Sequence, residues 1–225
     1  MWDGQLAAFA GRFRCAAWDA RGYGDSDDYE GSLDFSDFSE DIVRVLDFLN
    51  VEKVHLAGLS MGGRIARDFA LRHPQHVASL VLANTSPGFD ALSPEKITEF
   101  INQRKNLDPA SLAERLLGRN ARPSARDALV ASFAALRKDS YLKTLETSVA
   151  QDRAAPLEQL RVPTLVLTSD EDRLYPPAMA QAMARRIPRA EFVQIEGAGH
   201  LSNLEQPERF NAAVLEFLLR HIMAA

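Results

Sequence analysis

Short hydrophobic runs alternate along the chain with segments in which hydrophobic residues recur every three to four positions. Four runs are rich in β-branched residues and predict buried strands: 53–59, 77–83, 162–168 and 191–195. A weaker run at 12–18 predicts a fifth strand. The segments after residue 37 and after Pro207 have helical periodicity. This alternation predicts an α/β fold, a mostly parallel sheet with helices on both faces.

The alternation stops between residues 88 and 160, where no strand-like run occurs. Ser93-Pro94 and Asp108-Pro109 each combine an N-cap residue with proline in the first helical turn. We therefore expect 88–160 to be an all-helical insertion in a core formed by 1–87 and 161–225. Because ligands of open α/β sheets bind at the carboxyl ends of the strands, an insertion there would cover the pocket as a lid.

Composition and charge limit the kinds of partner that we expect the protein to bind. The 225 residues are 46% hydrophobic and carry a net charge of −5, with acidic and basic residues interleaved. No basic stripe indicates nucleic acid or an anionic membrane, and no apolar run is long enough to span a bilayer. Cys15 is the single cysteine, and the start lacks the features of a signal peptide. We expect a cytoplasmic protein with a small-molecule partner. The oligomeric state is left open, a homo-oligomer included.

A candidate nucleophile lies in Gly58-Leu59-Ser60-Met61-Gly62, between a predicted strand and a predicted helix. This is the context of a nucleophile elbow, in which glycines let the chain reverse sharply and hold the serine hydroxyl clear. The bare pattern is weak, because a glycine-rich turn with Ser60 as a helix N-cap would look the same. The strand before it and the helix after it favour the nucleophile.

A serine hydroxyl needs a base to remove its proton. His200 follows the last predicted strand in Gly197-Ala198-Gly199-His200, so it should lie at the same edge of the sheet as Ser60. The other four histidines lie in a strand, at a helix end or in the last helix, where solvated or capping roles are typical: His55, His73, His76 and His221.

A third group must orient the base, and three carboxylates follow the predicted strand 162–168. They are Asp170, Glu171 and Asp172. Position alone does not separate them, and two of the three would belong to a solvated acidic loop.

These motifs resemble the α/β-hydrolase superfamily, whose triad has the chain order Ser, acid, His. Residues 169–172 resemble the family's strand-end Gly-x-x-Asp with Ser169 in place of glycine, and this resemblance selects Asp172 as the acid. Residues 19–26 resemble a glycine-rich family loop. We interpret that loop as structural, with Asp19 and Arg21 hydrogen-bonded within it.

Two further segments, 82–85 and 199–208, resemble bacterial 3-oxoadipate enol-lactone hydrolases. The likeness runs from Met1 to the C-terminus and is vague only across the insertion. Serine at position 60 argues against dehalogenases and epoxide hydrolases, which carry aspartate there.

The resemblance implies a serine hydrolase that cleaves a carboxylic ester or (enol-)lactone through an acyl-enzyme, with no metal or organic cofactor. The backbone N–H of Met61 would be one oxyanion donor. The family's second donor comes from a His-Gly loop, and this sequence contains no His-Gly pair. Two alternatives stay open. One is a perhydrolase or carbon–carbon bond hydrolase of the same fold, and the other is a truncated, weakly active or non-catalytic homologue.

Arginines suggest an anionic substrate, because their guanidinium groups bind carboxylates in a bidentate way. Arg64 lies one turn into the helix after Ser60 and is the candidate substrate-binding residue. Five others lie in the insertion: Arg104, Arg115, Arg119, Arg122 and Arg126. For any one of them, a solvated position on a helix surface is the alternative.

The start of the chain resembles the middle of the family's first helix, which follows the third strand of the family. We therefore expect the chain to lack an N-terminal segment of about 30 to 50 residues. Run 12–18 would then have no partner beside 53–59, and backbone groups would be left unpaired. Either the start codon is misassigned, or the chain is cut, or runs 12–18 and 53–59 pair directly with each other in a smaller sheet.

Overall fold

A four-stranded parallel sheet in the order β1-β2-β3-β4 forms the core of the protein in a computed structural model, which describes residues 1–89, 93–105, 108–151 and 157–222. The strands are β1 Val54–Leu59, β2 Val77–Ala83, β3 Thr164–Ser169 and β4 Ala190–Ile195. The α-helices are α1 Asp3–Phe9, α2 Asp37–Leu49, α3 Met61–Arg72, α4 Pro94–Lys105, α5 Pro109–Leu116, α6 Pro123–Ala134, α7 Lys138–Gln151, α8 Pro177–Arg186, α9 Ser202–Glu205 and α10 Pro207–Arg220.

Side chains of the central strands alternate between two hydrophobic layers, as the pleat of a strand requires. In β2, Leu80 and Leu82 pack with helices α2, α3 and α8, whereas Val81 and Ala83 pack on the opposite face with α10. Helix α1 joins α10 on that second face. The sheet is therefore covered on both faces, and the predicted α/β architecture is confirmed.

Four of the five predicted strands are present with nearly the predicted bounds. The fifth is wrong, because residues 12–18 form no strand and β1 pairs only with β2 in the part of the chain that is described. Trp18 still packs against the hydrophobic layer of α2 and α3, so this residue contributes to packing without strand pairing. The direct pairing of 12–18 with 53–59, one of the three outcomes that the sequence left open, is therefore not formed.

The described residues between β2 and β3 contain helices α4 to α7 and no strand. Asp108 caps α5, since its Oδ1 accepts hydrogen bonds from Ala110 N and Ser111 N at 3.0 and 3.1 Å. Residues 90–92, 106–107 and 152–156 of the expected insertion lie outside the described residues. We call 94–151 the helical insertion below.

Hydrogen bonds connect the helical insertion to residues 19–31, which include the glycine-rich loop. Arg137 donates hydrogen bonds to the carbonyls of Gly22 and Ser26, and Ser140 Oγ donates to Asp28 at 2.6 Å. Within the described ranges, no helix is both long enough and apolar enough to cross a membrane.

Candidate active site

Ser60 lies at the turn between β1 and α3 and has a backbone conformation that serine rarely adopts. Its φ is 56° and its ψ is −119°. Such a conformation costs about 1–3 kcal/mol and persists only where neighbouring structure enforces it. Ser60 N donates to Ala83 O at 2.9 Å, and Thr85 Oγ1 donates to Ser60 O at 2.6 Å. These two bonds fix the turn to the carboxyl end of β2.

The glycines of this turn have unequal roles. A Cβ at Gly58 would lie 2.1 Å from Gly62 O, and a Cβ at Gly63 would lie 2.7 Å from the side chain of Thr85. A Cβ at Gly62 would meet no atom within 4 Å. The sharp reversal therefore requires glycine at positions 58 and 63, where the chain packs closely against itself.

Met61 is the first residue of α3, so its N–H has no acceptor inside the helix. The positive end of the helix dipole adds to the attraction for negative charge at this point. A developing oxyanion next to Ser60 is the kind of group that this N–H can bind.

His200 lies in the loop between β4 and α9 and is buried, with 2% of its surface exposed. Its Nδ1 is 2.9 Å from Asp172 Oδ2. Its backbone N–H donates to Leu116 O at 2.6 Å, and the ring of Tyr175 packs edge-on at 5.5 Å between centroids. With Asp172 ionised, Nδ1 carries the proton and Nε2 is left free to accept one.

The environment of Asp172 keeps its carboxyl ionised. Oδ1 accepts hydrogen bonds from Leu174 N and Tyr175 N, each at 2.9 Å. Burial raises the pKa of Asp172, but the hydrogen bond and charge of His200, with donors from Tyr175 N and Asn84, outweigh it and hold the pKa below its usual value. Asp172 therefore suits the orientation of a histidine that becomes charged.

The other two carboxylates of this loop have different partners. Asp170 Oδ1 accepts from Gly197 N at 2.7 Å, and Glu171 Oε2 accepts from Arg119 N at 2.7 Å. Of the three, Asp172 is the one bonded to His200. The assignment of Asp172 as the triad acid is consistent with this geometry and stays a prediction.

Ser60, Asp172 and His200 all follow the carboxyl ends of strands. Among the described residues, no hydrogen bond joins Ser60 Oγ to His200 Nε2. Such bonds often tighten only once substrate is bound. Other histidines lie near the amino ends of strands: His76 bonds to Glu52 O and His221 faces Glu191.

Asn84, which the sequence did not single out as a site residue, links the ends of β2 and β3. Its amide donates to Asp172 Oδ2 at 3.1 Å and to Ser169 Oγ at 2.6 Å, while its Oδ1 accepts from Ser202 Oγ at 2.6 Å. Ser169 Oγ in turn donates to Gly199 O. The position of Asn84, directly after a buried strand, is the signal that could have found it.

Arg64, the predicted substrate-binding residue, is buried and bound to protein groups. Its guanidinium donates to Ser148 O and to Ser148 Oγ at 3.2 and 3.3 Å, and it lies 4.6 Å from the ring centroid of Phe89. These contacts join α3 to α7. A substrate role for Arg64 stays a prediction.

The loop at 19–26 differs in part from expectation. Asp19 bonds within the loop as predicted, since its Oδ2 accepts from Asp25 N and its carbonyl accepts from Ser26 Oγ. Arg21 does not, because its guanidinium forms a bidentate pair with Asp41 of α2, both bonds being 2.6 Å. Bidentate pairing with a carboxylate outcompetes bonds to loop carbonyls.

No group of three His, Cys, Asp or Glu side chains is placed to hold a metal ion within the described ranges. Two surface hollows, of about 510 and 460 Å³, lie beside β4 and α10 and at the amino ends of the strands. Neither is lined by Ser60, Asp172 or His200. The hydrogen bonds and not these hollows therefore locate the candidate site.

Comparison with known proteins gives a consistent result. A family model described as the alpha/beta hydrolase fold matches residues 1–207. A protein of Agrobacterium fabrum named as a candidate carbamate hydrolase, RutD, is 30% identical and aligns with 97% of this chain and 87% of its own. An esterase of Thermogutta terrifontis, solved with malate bound, is 31% identical with a TM-score of 0.87, covering 98% of this chain and 85% of its own. The enol-lactonase of Burkholderia xenovorans is 27% identical with a TM-score of 0.86, covering 97% and 85%.

Proposed function

The chain belongs to the α/β-hydrolase family and is a hydrolase, and from this premise we propose that it cleaves a carboxylic ester or lactone of a small molecule with Ser60 as nucleophile. His200 would be the base and Asp172 the residue that orients it. The buried bond between His200 Nδ1 and Asp172 Oδ2, at the same sheet edge as the strained Ser60 turn, is the observation that supports this proposal most directly.

The proposed reaction has two acyl transfers. Ser60 Oγ attacks the carbonyl carbon while His200 Nε2 takes its proton, and the tetrahedral oxyanion is bound by Met61 N–H. The C–O bond to the leaving alcohol breaks as that alcohol receives the proton from His200. Water then attacks the acyl-enzyme through the same base, releasing the acid and regenerating Ser60. These steps use no metal or organic cofactor.

A substrate panel with the Ser60→Ala variant tests the proposal. We expect the wild type to hydrolyse a short activated ester and Ser60→Ala to lose nearly all turnover while remaining folded. Ser32→Ala, at an exposed serine, is the matched control. A Ser60→Ala variant that keeps more than a few per cent of wild-type activity would show that another group is the nucleophile.

The panel also separates the rival chemistries. Turnover of lactones and simple esters is compared with hydrolysis of an aryl carbamate, which is included because one relative is named for carbamates. It is also compared with cleavage of a carbon–carbon bond and with peracid formation. All of these use an activated serine, so pocket shape and not the triad would select among them.

We further propose that the substrate carries a carboxylate, and Arg104 is the arginine best placed to bind it. Of the insertion arginines, Arg122 and Arg126 face the carboxylates of Glu208 and Glu114. Arg115 bonds to Gln103, and the side chain of Arg119 is exposed. Among the described groups, none of the ion pairs involves Arg104.

Arg104 is partly buried, and its guanidinium lies 3.6 Å from the ring centroid of Phe100. Phe100 packs on Phe89, the ring that Arg64 also covers. Burial lowers the pKa of Arg104. Tyr141 and, after it, Tyr175 partly oppose this shift, and the ring of Tyr175 contacts His200. A partly desolvated cation of this kind favours an anion as its partner.

Paired neutral and anionic lactones test this proposal in the wild type and in Arg104→Met. We expect the variant to lose about 10- to 100-fold in kcat/KM on the anionic lactone, because a hydrogen bond to a charged group contributes about 1.5–3 kcal/mol. Turnover of the neutral lactone should change little, and Arg126→Met should leave both rates unchanged. Equal losses on the two lactones would refute the role of Arg104.

A further inference from the structure

A buried carboxylate next to His200 joins the histidine loop to the helical insertion. Glu205 has 3% of its surface exposed and accepts three backbone hydrogen bonds. We propose that Glu205 is a positioning residue, which sets the place of His200 and couples it to the helical insertion. This inference rests on the proposed function in taking His200 as the base.

The two oxygens of Glu205 have different partners. Oε1 accepts from Gly199 N at 3.0 Å and from Leu201 N at 3.2 Å, the residues on either side of His200. Oε2 accepts from Gly118 N at 2.7 Å, just beyond the end of α5. One carboxylate thus holds both flanks of His200 with one oxygen and the insertion with the other.

The backbones of the two segments are in contact at this junction. A Cβ at Gly199 would lie 2.3 Å from Gly118 N and 2.5 Å from Leu116 O. Leu116 O also accepts the hydrogen bond from His200 N. Movement of the end of α5 would therefore move His200 directly.

Three N–H donors converging on one side chain explain why a carboxylate is required. Glutamine has one acceptor oxygen, so its amide group would have to face one of the three N–H groups, donor against donor. Burial raises the pKa of Glu205, with Glu171 adding to the rise, while the three N–H groups act against it. Within the described part of the chain, no ion pair gives Glu205 a cation, so these N–H groups are its compensation.

Glu205→Gln and Gly118→Ala perturb the same junction from its two sides. The glutamine oxygen can keep Gly199 N and Leu201 N, so the bond to Gly118 N is the one lost. A Cβ at Gly118 would lie 2.8 Å from Gly199 N and 3.0 Å from Glu205 Oε2, which pushes the segments apart. Glu208→Gln, at an exposed carboxylate in the next turn, is the matched control.

We expect each junction variant to lower kcat on a neutral ester about 10- to 100-fold with KM within about threefold, because a displacement of about 1 Å at a catalytic group has an effect of this size. Glu205→Ala would leave three N–H groups unpaired and is used only if it folds. Hydrogen exchange should accelerate at residues 116–119 in Glu205→Gln and not in Glu208→Gln.

The outcomes separate this inference from the proposed function. An active wild type whose Glu205→Gln variant keeps kcat within twofold overturns the inference and leaves the proposed function intact. A raised KM with unchanged kcat overturns it as well, since the effect would then lie in substrate binding. A wild type inert toward both esters and lactones refutes the proposed function and with it the positioning role of Glu205 in catalysis. Exchange at 116–119 then decides whether Glu205 joins the two segments.

Discussion

Gly58 and Gly62 occupy symmetrical places in the Gly-x-Ser-x-Gly motif, but the structure predicts opposite responses to a single methyl group. A Cβ at Gly58 would lie 2.1, 2.4 and 2.7 Å from Gly62 O, Gly62 C and Gly63 N, all of them backbone atoms. A Cβ at Gly62 would have no neighbour within 4 Å. The comparison of Gly58→Ala with Gly62→Ala therefore tests the close packing of the turn.

The size of each effect follows from these distances. Overpacking typically costs about 1–3 kcal/mol, and Gly58→Ala should be near the upper end, because backbone atoms cannot rotate away as a side chain can. A loss of about 3 kcal/mol would lower Tm by about 6–12 °C for a chain of this length. Gly62→Ala should stabilise by about 0.4–1 kcal/mol, because alanine restricts the unfolded chain.

Urea unfolding and calorimetry of both variants provide the measurement, with ester turnover recorded on the same samples. We expect Gly58→Ala to lose stability and turnover together, since relief of the clash must shift the Ser60 turn, and Gly62→Ala to unfold at or above the wild-type midpoint. Equal destabilisation by the two substitutions, or a neutral Gly58→Ala, would refute the description of the turn.

Two further predictions concern the histidine and its carboxylate. Asp172→Asn should lower kcat by about 10⁴-fold through the wrong imidazole tautomer, whereas Asp170→Asn, which does not touch His200, should stay within about tenfold on the same ester. Because the folded pKa of Asp172 lies below its unfolded value of about 3.9, its ionisation stabilises the fold above that pH and is lost as pH falls through the folded pKa. The stability gap between wild type and Asp172→Asn should accordingly narrow below about pH 4 in urea titrations, and a constant gap would contradict the pKa shift.

The sheet could be predicted from the sequence because its central strands, β2 and β3, are buried on both faces. Run 77–83 is apolar except for Ser79, and the alternation of Leu80 and Leu82 with Val81 and Ala83 between two layers explains why. Run 12–18 is weaker, because it contains Arg12 and Arg14, and a strand also needs a partner that pattern alone does not supply.

In the candidate site, the residues that could be predicted are those that closely follow a predicted strand. Ser60 and His200 each follow a strand, but Asp170, Glu171 and Asp172 differ by one or two positions, so strand position does not separate them. The family resemblance selects Asp172, and the three-dimensional contacts are consistent with that choice.

Contacts between segments that lie far apart in the chain could not be predicted from the sequence. Arg64 meets Ser148, 84 positions away, and Glu205 meets Gly118 across 87 positions. Such pairs depend on how the helical insertion packs on the core, and no local periodicity encodes that.

The central claim is that Ser60 is an activated nucleophile, and a fluorophosphonate probe tests it most directly, because the probe reacts with activated serines and ignores inert ones. Mass spectrometry of the labelled protein should show one adduct per chain, on the peptide containing Ser60, and none in Ser60→Ala. In His200→Ala, labelling should slow by about 1000-fold or more. An adduct on another residue, or folded wild-type protein that stays unlabelled, would contradict the claim.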